Sequence, residues 1–240
     1  MVALGLTEAQ VASILTLAPT EFEHASFLLS VLATSGAKPV QPCTYTFGPA
    51  VTDAATFLAT ASILESVGVS AYLGAAPLIA DSSILAAAAA ITTVEGRHQT
   101  LIRSVTSPAV AVASAFDAAL GPRHIFSLAA PFIASCPEGS LLAITPFPSL
   151  AMVDAAATTV PGQLVKLTSD VQQGATFCGF TSGDARPGGT QFAPFDQATG
   201  CIVPNPARGV VYVTLTNAAP LDGILTDQIT VAGPIVMVVS

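Results

Sequence analysis

The chain has 240 residues, of which 52% are hydrophobic and 9% charged. Seven lysines and arginines stand against 15 aspartates and glutamates, and the net charge of −8 argues against nucleic acid and anionic membranes as partners. Mean hydropathy is high, at +0.69, but no uncharged apolar run reaches the roughly 18 to 20 residues that span a bilayer. We therefore expect no transmembrane segment.

The chain begins with a helical pattern. Residues 7–35 carry apolar side chains at helical spacing, and Pro19 either kinks this helix or starts a second one, since proline suits a first helical turn. Prolines and glycines over 35–50 predict a loop.

Further helices are predicted at 53–80, 82–106 and 121–134. Thr52 or Asp53 can cap the first of these and Asp81 or Ser82 the second, because short polar side chains accept hydrogen bonds from the first free backbone amides. At the start of the last helix, His124 is predicted to lie at the surface or to act in capping.

The composition changes after Cys136, where proline, glycine, threonine and valine become frequent. Short β-type runs separated by turn residues lie at 163–171, 175–183, 209–218, 224–233 and 235–240. This spacing predicts a small antiparallel β-sandwich. The sequence therefore predicts an α+β multidomain protein, with a helical bundle at 1–140 and a C-terminal β-sandwich at 141–240.

The four cysteines are widely spaced and include no Cys-x-x-Cys pair, which favours two disulfides over a zinc site. We prefer the pairing Cys43–Cys136 and Cys178–Cys201, and the other two connectivities remain open. Disulfides indicate an oxidising compartment, so we predict a secreted protein. Because the opening residues 1–10 lack the pattern of a signal peptide, we expect that an N-terminal piece is missing.

Two of the three histidines follow a glutamate by three positions: Glu21 with His24, and Glu95 with His98. On a helix this spacing puts both side chains on one face. Between them Glu65 lies in an apolar helix, where a buried carboxylate costs several kcal/mol unless it is paired or bound to a metal.

This order matches most of a di-metal carboxylate bundle, which uses a Glu-x-x-His from each of two helices and a glutamate from each of two others. Mixed oxygen and nitrogen ligands suit iron or manganese. A further helix with a glutamate is expected before the first motif, but Glu8 is too close to Glu21 to provide it. The sequence thus predicts a bundle that lacks its first helix and has either a complete or a relic metal site.

Several stretches resemble one family, the fungal ferritin-like proteins named for late sexual development and the stress protein Rds1, which are related to desiccation-associated ferritin-like proteins. They include "FEHASFLLSVL", "ASILESVGVSAYLGAA" and "TTVEGRHQTLIR" in the helical half and "FAPFDQATGC" in the β half. The resemblance implies a secreted fungal stress or developmental protein with a ferritin-like four-helix bundle. Its expected metal positions are Glu21, His24, Glu65, Glu95 and His98.

Two functions are favoured, and a third, an iron store, fits poorly because a chain with an attached sandwich is unsuited to a closed cage. The first is a metal-dependent protein, with iron or manganese, that handles O₂, peroxide or Fe(II). The second is a non-enzymatic structural or interaction protein of the cell wall or extracellular space, in which the acids and histidines pair with each other and Arg97 or Arg103 supplies a counter-charge. Convergence of the five residues around a void would favour the first, and an arginine filling that space would favour the second. A bundle lacking one helix also predicts a homo-oligomer through the exposed face.

Overall fold

The computed structural model describes residues 5–112, 114–140, 144–154, 159–185 and 187–240. The helices are α1 (Glu8–Leu15), α2 (Leu17–Thr34), α3 (Ala54–Ala75), α4 (Ser82–Thr106) and α5 (Pro122–Ala129). The strands are β1 (Thr44–Tyr45), β2 (Ile133–Ser135), β3 (Ala151–Met152), β4 (Leu164–Val165), β5 (Leu167–Thr168), β6 (Phe177–Thr181), β7 (Thr190–Pro194), β8 (Cys201–Ile202), β9 (Gly209–Thr216) and β10 (Thr230–Val239). Helices followed by antiparallel sheets confirm the predicted α+β class.

The N-terminal helical segment breaks at Thr16. Thr7 caps α1 in a capping box with Gln10, whose side-chain oxygen accepts from the Thr7 amide at 2.8 Å. Pro19 lies in the first turn of α2, where a missing amide is tolerated. A second helix near Pro19 is therefore confirmed, although it begins two residues earlier.

The predicted caps of α3 and α4 are the aspartates. Asp53 accepts from the amide of Ala55 at 2.9 Å, and Asp81 accepts from the amides of Ser83 and Ile84 at 2.8 and 3.0 Å. The two helices are joined by residues 76–81 and pack against each other. This pair forms the framework on which the candidate site is built.

The segment Ala54–Leu78 is long and apolar enough to cross a membrane by length and composition alone. It carries Glu65 near its middle and packs against α4 and α5. A buried glutamate near the middle of the segment and its packing against two other helices argue against a membrane span.

Helix α5 is shorter than predicted. Residues 130–132 form a 3₁₀ turn, and the chain then enters β2, which pairs with β1. The disulfide Cys43–Cys136 lies beside this pairing and has the preferred connectivity. Both strands were missed because they have only two or three residues and lie next to proline-rich turns.

A four-stranded antiparallel sheet, in the order β10-β9-β6-β7, dominates the second half. Strand β7 lies outside the predicted β-type runs. The end of the run 224–233 and most of the run 235–240 form the single strand β10, with an irregular register between Ala232 and Ile235. Two small antiparallel pairs, β3 with β5 and β4 with β8, accompany this sheet. The second predicted disulfide, Cys178–Cys201, joins β6 to β8.

The sheet has a packed layer on each face. Val211, Val213 and Leu215 of β9 lie in one core with Leu167 and the second disulfide. Tyr212 points to the opposite face, as strand alternation requires, and packs in a second core with Val67 of α3. The sheet therefore supports the helix that carries Glu65.

A hydrogen-bonded contact reinforces this packing. The Tyr212 hydroxyl lies 2.8 Å from both the carbonyl oxygen of Ser66 and the hydroxyl of Ser70. The division into domains at 1–140 and 141–240 stays a prediction, and residues 141–143 at that boundary lie outside the described residues.

The prediction that His124 lies at the surface is wrong. Its exposed fraction is 2%, its ring packs against Phe147, and its Nε2 atom lies 2.9 Å from the Thr230 hydroxyl. Burial lowers the pKa of His124 below its ordinary value. The cause is the packing of α5 against β10, a long-range contact that the local sequence does not reveal.

Candidate metal centre

Three helices bring the five predicted residues together. Helix α2 contributes Glu21 and His24, α3 contributes Glu65, and α4 contributes Glu95 and His98. In each Glu-x-x-His pair the two side chains share a helix face, as their spacing predicts.

The distances describe a compact cluster. His98 Nδ1 lies 2.9 Å from Glu21 Oε1 and 3.3 Å from Glu65 Oε2. His24 Nδ1 lies 3.4 Å from Glu95 Oε1 and 3.5 Å from Glu21 Oε2. Each histidine thus contacts carboxylates from two helices, so the cluster crosslinks α2, α3 and α4.

These close approaches lack hydrogen-bond geometry. Four buried atoms have no hydrogen-bond partner among the described residues: Glu21 Oε1, His24 Nδ1, Glu65 Oε2 and His98 Nδ1. Buried polar atoms are nearly always paired, so a group of four unpaired atoms needs a physical explanation. A cation held among them would provide one.

The cluster also has suitable dimensions for a metal ion. One ligand atom from each of Glu21, Glu65, Glu95 and His98 lies within 4.8 Å of the other three. Ligands about 2.1 Å from one ion lie at most about 4.2 Å apart. A small contraction would therefore allow all four to share one ion, and His24 contacts the same carboxylates.

Glu65 and Glu95 are poorly solvated and lie close to other carboxylates. Burial, followed by the charges of Glu21 and Glu95, raises the pKa of Glu65 to about 9. Burial and Glu21 also raise the pKa of Glu95. Burial, followed by the charges of Glu95 and Glu21, raises the pKa of Tyr72 to about 12.

No lysine or arginine among the described residues makes an ion pair with the cluster. Arg103 donates to Gln99 and is buried elsewhere on α4, and Arg97 is exposed. Neither side chain fills the space between the acids, so the structure gives no support to an arginine as the internal counter-ion.

Gly68 is a site residue that the sequence analysis missed. A Cβ atom on Gly68 would lie 2.8 Å from Glu95 Oε2. The missing side chain gives the Glu95 carboxylate room between α3 and α4. The available signal was a glycine inside a helix, three positions after Glu65, where glycine is otherwise unfavourable.

The cluster is buried on α3 and α4 and more open on α2. The side chains of Glu95 and Glu65 are 6% and 10% exposed, whereas that of Glu21 is 41% exposed. Leu17 is the buried residue of α2, and large apolar side chains of the same helix face solvent: Phe22, Phe27, Leu28, Leu29 and Leu32. Helix α2 thus leaves an apolar surface uncovered.

Three helices joined by a carboxylate and histidine cluster define a ferritin-like helical region. Consistent with this class, the family model "Ferritin-like domain" matches residues 1–108, a range that contains all five cluster residues. No curated protein matches the chain.

Proposed function

We propose that Glu21, His24, Glu65, Glu95 and His98 bind iron or manganese. The observation that carries this proposal is the group of four buried atoms without hydrogen-bond partners among the described residues. They belong to a cluster in which ligand atoms from four residues lie within 4.8 Å of one another. Three carboxylates and two imidazoles form a donor set that these metals accept. A ferritin-like match over the same residues supports it.

Charge balance supports the same assignment. The three carboxylates carry up to three negative charges in a cluster without a lysine or arginine ion pair among the described residues. Without metal, the Glu65 carboxyl retains a proton up to about pH 9, because burial raises its pKa to about that value. A divalent cation would replace this proton, so metal binding should release protons.

A bound iron or manganese ion would supply redox chemistry with O₂ or peroxide, or would itself be the species that the protein handles. The residues of this chain would bind the ion and fix its position. Glu65 and Glu95 are fixed by the α3–α4 pair, whereas Glu21 and His24 close the site from α2. The greater exposure of Glu21 makes the α2 side the side from which small molecules reach the centre.

We further propose that the protein is secreted and belongs to the fungal stress and developmental group that its motifs resemble. Two disulfides support an oxidising compartment. The second candidate, a non-enzymatic interaction protein of the extracellular space or cell wall, is supported by the uncovered apolar side chains of α2.

The test is the metal content of protein purified without a histidine tag, measured by inductively coupled plasma mass spectrometry. Wild type is compared with a Glu95→Gln/His98→Asn variant and with the exposed control Glu23→Gln. Near-stoichiometric iron or manganese in wild type and control, absent from the double variant, would support the proposal. Absence of metal from all three proteins, after incubation with Fe(II) and Mn(II), would refute it and favour the interaction protein.

A further inference from the structure

An apolar cavity adjoins the carboxylate cluster. Its volume is about 600 Å³, and it lies among α1, α2, α3 and α4. Its apolar lining includes Leu17, Ala18, Phe57, Ala61, Leu64 and Ile102. The volume falls within the range of roughly 300 to 1,000 Å³ that is typical of small-molecule sites.

The cavity has a polar end and an apolar body. Glu21, Glu65 and Glu95 all contribute to its lining, together with Gly68. Ile102 is fully buried, whereas Leu15 and Phe57 are 63% and 38% exposed, so the cavity opens to solvent beside these last two residues. A molecule that enters there would meet apolar side chains and then carboxylates.

This space is a cleft that opens to solvent, and its walls are mainly apolar. About 600 Å³ would hold roughly 20 waters at about 30 Å³ each, and an apolar lining offers them few hydrogen-bond partners. An apolar ligand is therefore the occupant that this lining favours.

We propose that the cavity binds the organic substrate of the centre, an apolar molecule with one polar end group. This inference rests on the proposed metal function. The polar end would lie at Glu21, Glu65 and Glu95, next to the ion, and the apolar body would extend between α1, α3 and α4. The same three carboxylates would thus bind the metal and line the polar end of the substrate cavity.

A small molecule fits this space better than a helix from another protein chain. Helix α1 and the start of α2 close one side, because Ile14 of α1 and Leu17 of α2 pack in one cluster with two buried residues of α3 and α4, Leu58 and Ile102. A single helical turn, about 10 to 12 Å wide and 5.4 Å long, has a volume of roughly 500 Å³. The cavity could accept little more than one such turn.

The test uses metal-free protein in the presence of EDTA, so that its result does not depend on metal binding. Isothermal titration with octylammonium, 1-octanol and octanoate compares three probes of equal chain length. If the polar end lies at the carboxylates, affinity should fall in the order octylammonium, 1-octanol, octanoate. Octanoate binding as tightly as octylammonium would overturn the proposed orientation.

Two phenylalanine substitutions on α3 locate the binding site. Ala61→Phe fills the proposed cavity and should weaken 1-octanol binding by at least ~10-fold, about 1.4 kcal/mol. Ala59→Phe is the matched control, since Ala59 lines a different cavity of about 430 Å³, and it should leave the affinity unchanged. Unchanged binding in Ala61→Phe, or no binding by wild type, would overturn the proposal.

Circular dichroism checks that each variant is folded. If Ala61→Phe does not fold, Ala18→Phe replaces it, because Ala18 of α2 lines the same cavity. The same loss of 1-octanol affinity is then expected, and unchanged affinity would overturn the proposal. Metal content, measured separately, distinguishes failure of the proposed metal site from failure of the proposed cavity site. Metal binding without 1-octanol binding would leave the centre intact and reject the cavity as a substrate site.

Discussion

Nδ1 of His98 on α4 lies 2.9 Å from Oε1 of Glu21 on α2, and neither atom has a hydrogen-bond partner among the described residues. The two residues are 77 positions apart, so this contact depends on the packing of α2 against the α3–α4 pair. Together with the contact of His24 with Glu95, it joins the less buried helix α2 to the rest of the cluster.

Glu21→Gln should weaken metal binding while Glu23→Gln should not. Both changes remove one negative charge from α2, but only Glu21 reaches the cluster. Even substitutions of groups that merely support metal ligands lower affinity by roughly 10- to 100-fold, so we expect a loss of at least about 10-fold. Competition titration with a chromogenic chelator measures it, and equal affinities in the two variants would exclude Glu21 as a ligand.

Gly68→Ala should displace the Glu95 carboxylate and reduce metal affinity without unfolding the protein. The added Cβ would lie 2.8 Å from Glu95 Oε2, which is the mobile end of its side chain. Gly96→Ala is the matched control, because a Cβ there has no neighbour within 4 Å and should stabilise α4 by up to ~1 kcal/mol. Chelator competition and thermal unfolding of both variants provide the comparison. Undiminished metal affinity in Gly68→Ala would contradict this role for the glycine.

The stability of the metal-free protein should fall as the pH rises from 6.5 to 9. The pKa of the Glu65 carboxyl is near 4.5 when unfolded and about 9 when folded, so the folded state binds more protons in this range. Its contribution is fully present below pH 4.5 and is lost as the pH passes 9. One proton gives a slope of at most about 1.4 kcal/mol per pH unit.

Urea unfolding at several pH values in EDTA measures this slope. Glu65→Gln imitates the protonated acid and should flatten the dependence, whereas the exposed control Glu138→Gln should retain it. The pKa of His98 is lowered by burial, which destabilises the folded state only below about pH 6.5 and leaves the chosen range clear. A flat wild-type profile would show that Glu65 is already ionised in the folded state.

The uncovered side of α2 should cause self-association. Leu29 and Leu32 are 41% and 43% exposed and lie three positions apart on this helix. We expect wild type to form dimers or larger species in sedimentation velocity, and Leu29→Glu/Leu32→Glu to shift it toward monomer. The control Ile202→Glu/Leu221→Glu makes the same charge change on exposed residues of the β region and should leave the association state unchanged. A wild-type monomer at high concentration would refute the prediction.

Tyr212→Phe should destabilise the folded protein by about 1 to 3 kcal/mol, because it leaves buried groups of Ser66 and Ser70 without their partner. Tyr45→Phe removes the hydroxyl of an exposed tyrosine and should change stability by less than ~0.5 kcal/mol. Chemical denaturation followed by circular dichroism compares them. Equal stabilities would show that the contact between α3 and the sheet contributes little.

Helices with strong local signals could be predicted from the sequence. Asp53 and Asp81 cap α3 and α4 as their positions indicated, and the Glu-x-x-His spacing placed each pair on one helix face. Glu65 could be identified as a candidate because its neighbours in the helix are apolar. In each case the evidence lay within one or two helical turns.

Features that depend on long-range packing could not be predicted. The burial of His124 requires β10, which lies about 100 residues later. Strand β7 carries a proline and no clear alternation, so its place depends on pairing with β6. The role of Gly68 and the cavity beside it follow from how closely three helices approach one another, a quantity that periodicity does not contain.

The disulfide Cys43–Cys136 has a consequence for how the centre assembles. It closes a covalent loop across a sequence separation of 93 residues that contains α3 and α4, while α2 lies outside the loop. Glu65, Glu95 and His98 thus lie within this covalent loop, whereas Glu21 and His24 lie outside it. We expect α2 to move relative to the α3–α4 pair when an ion is admitted or released.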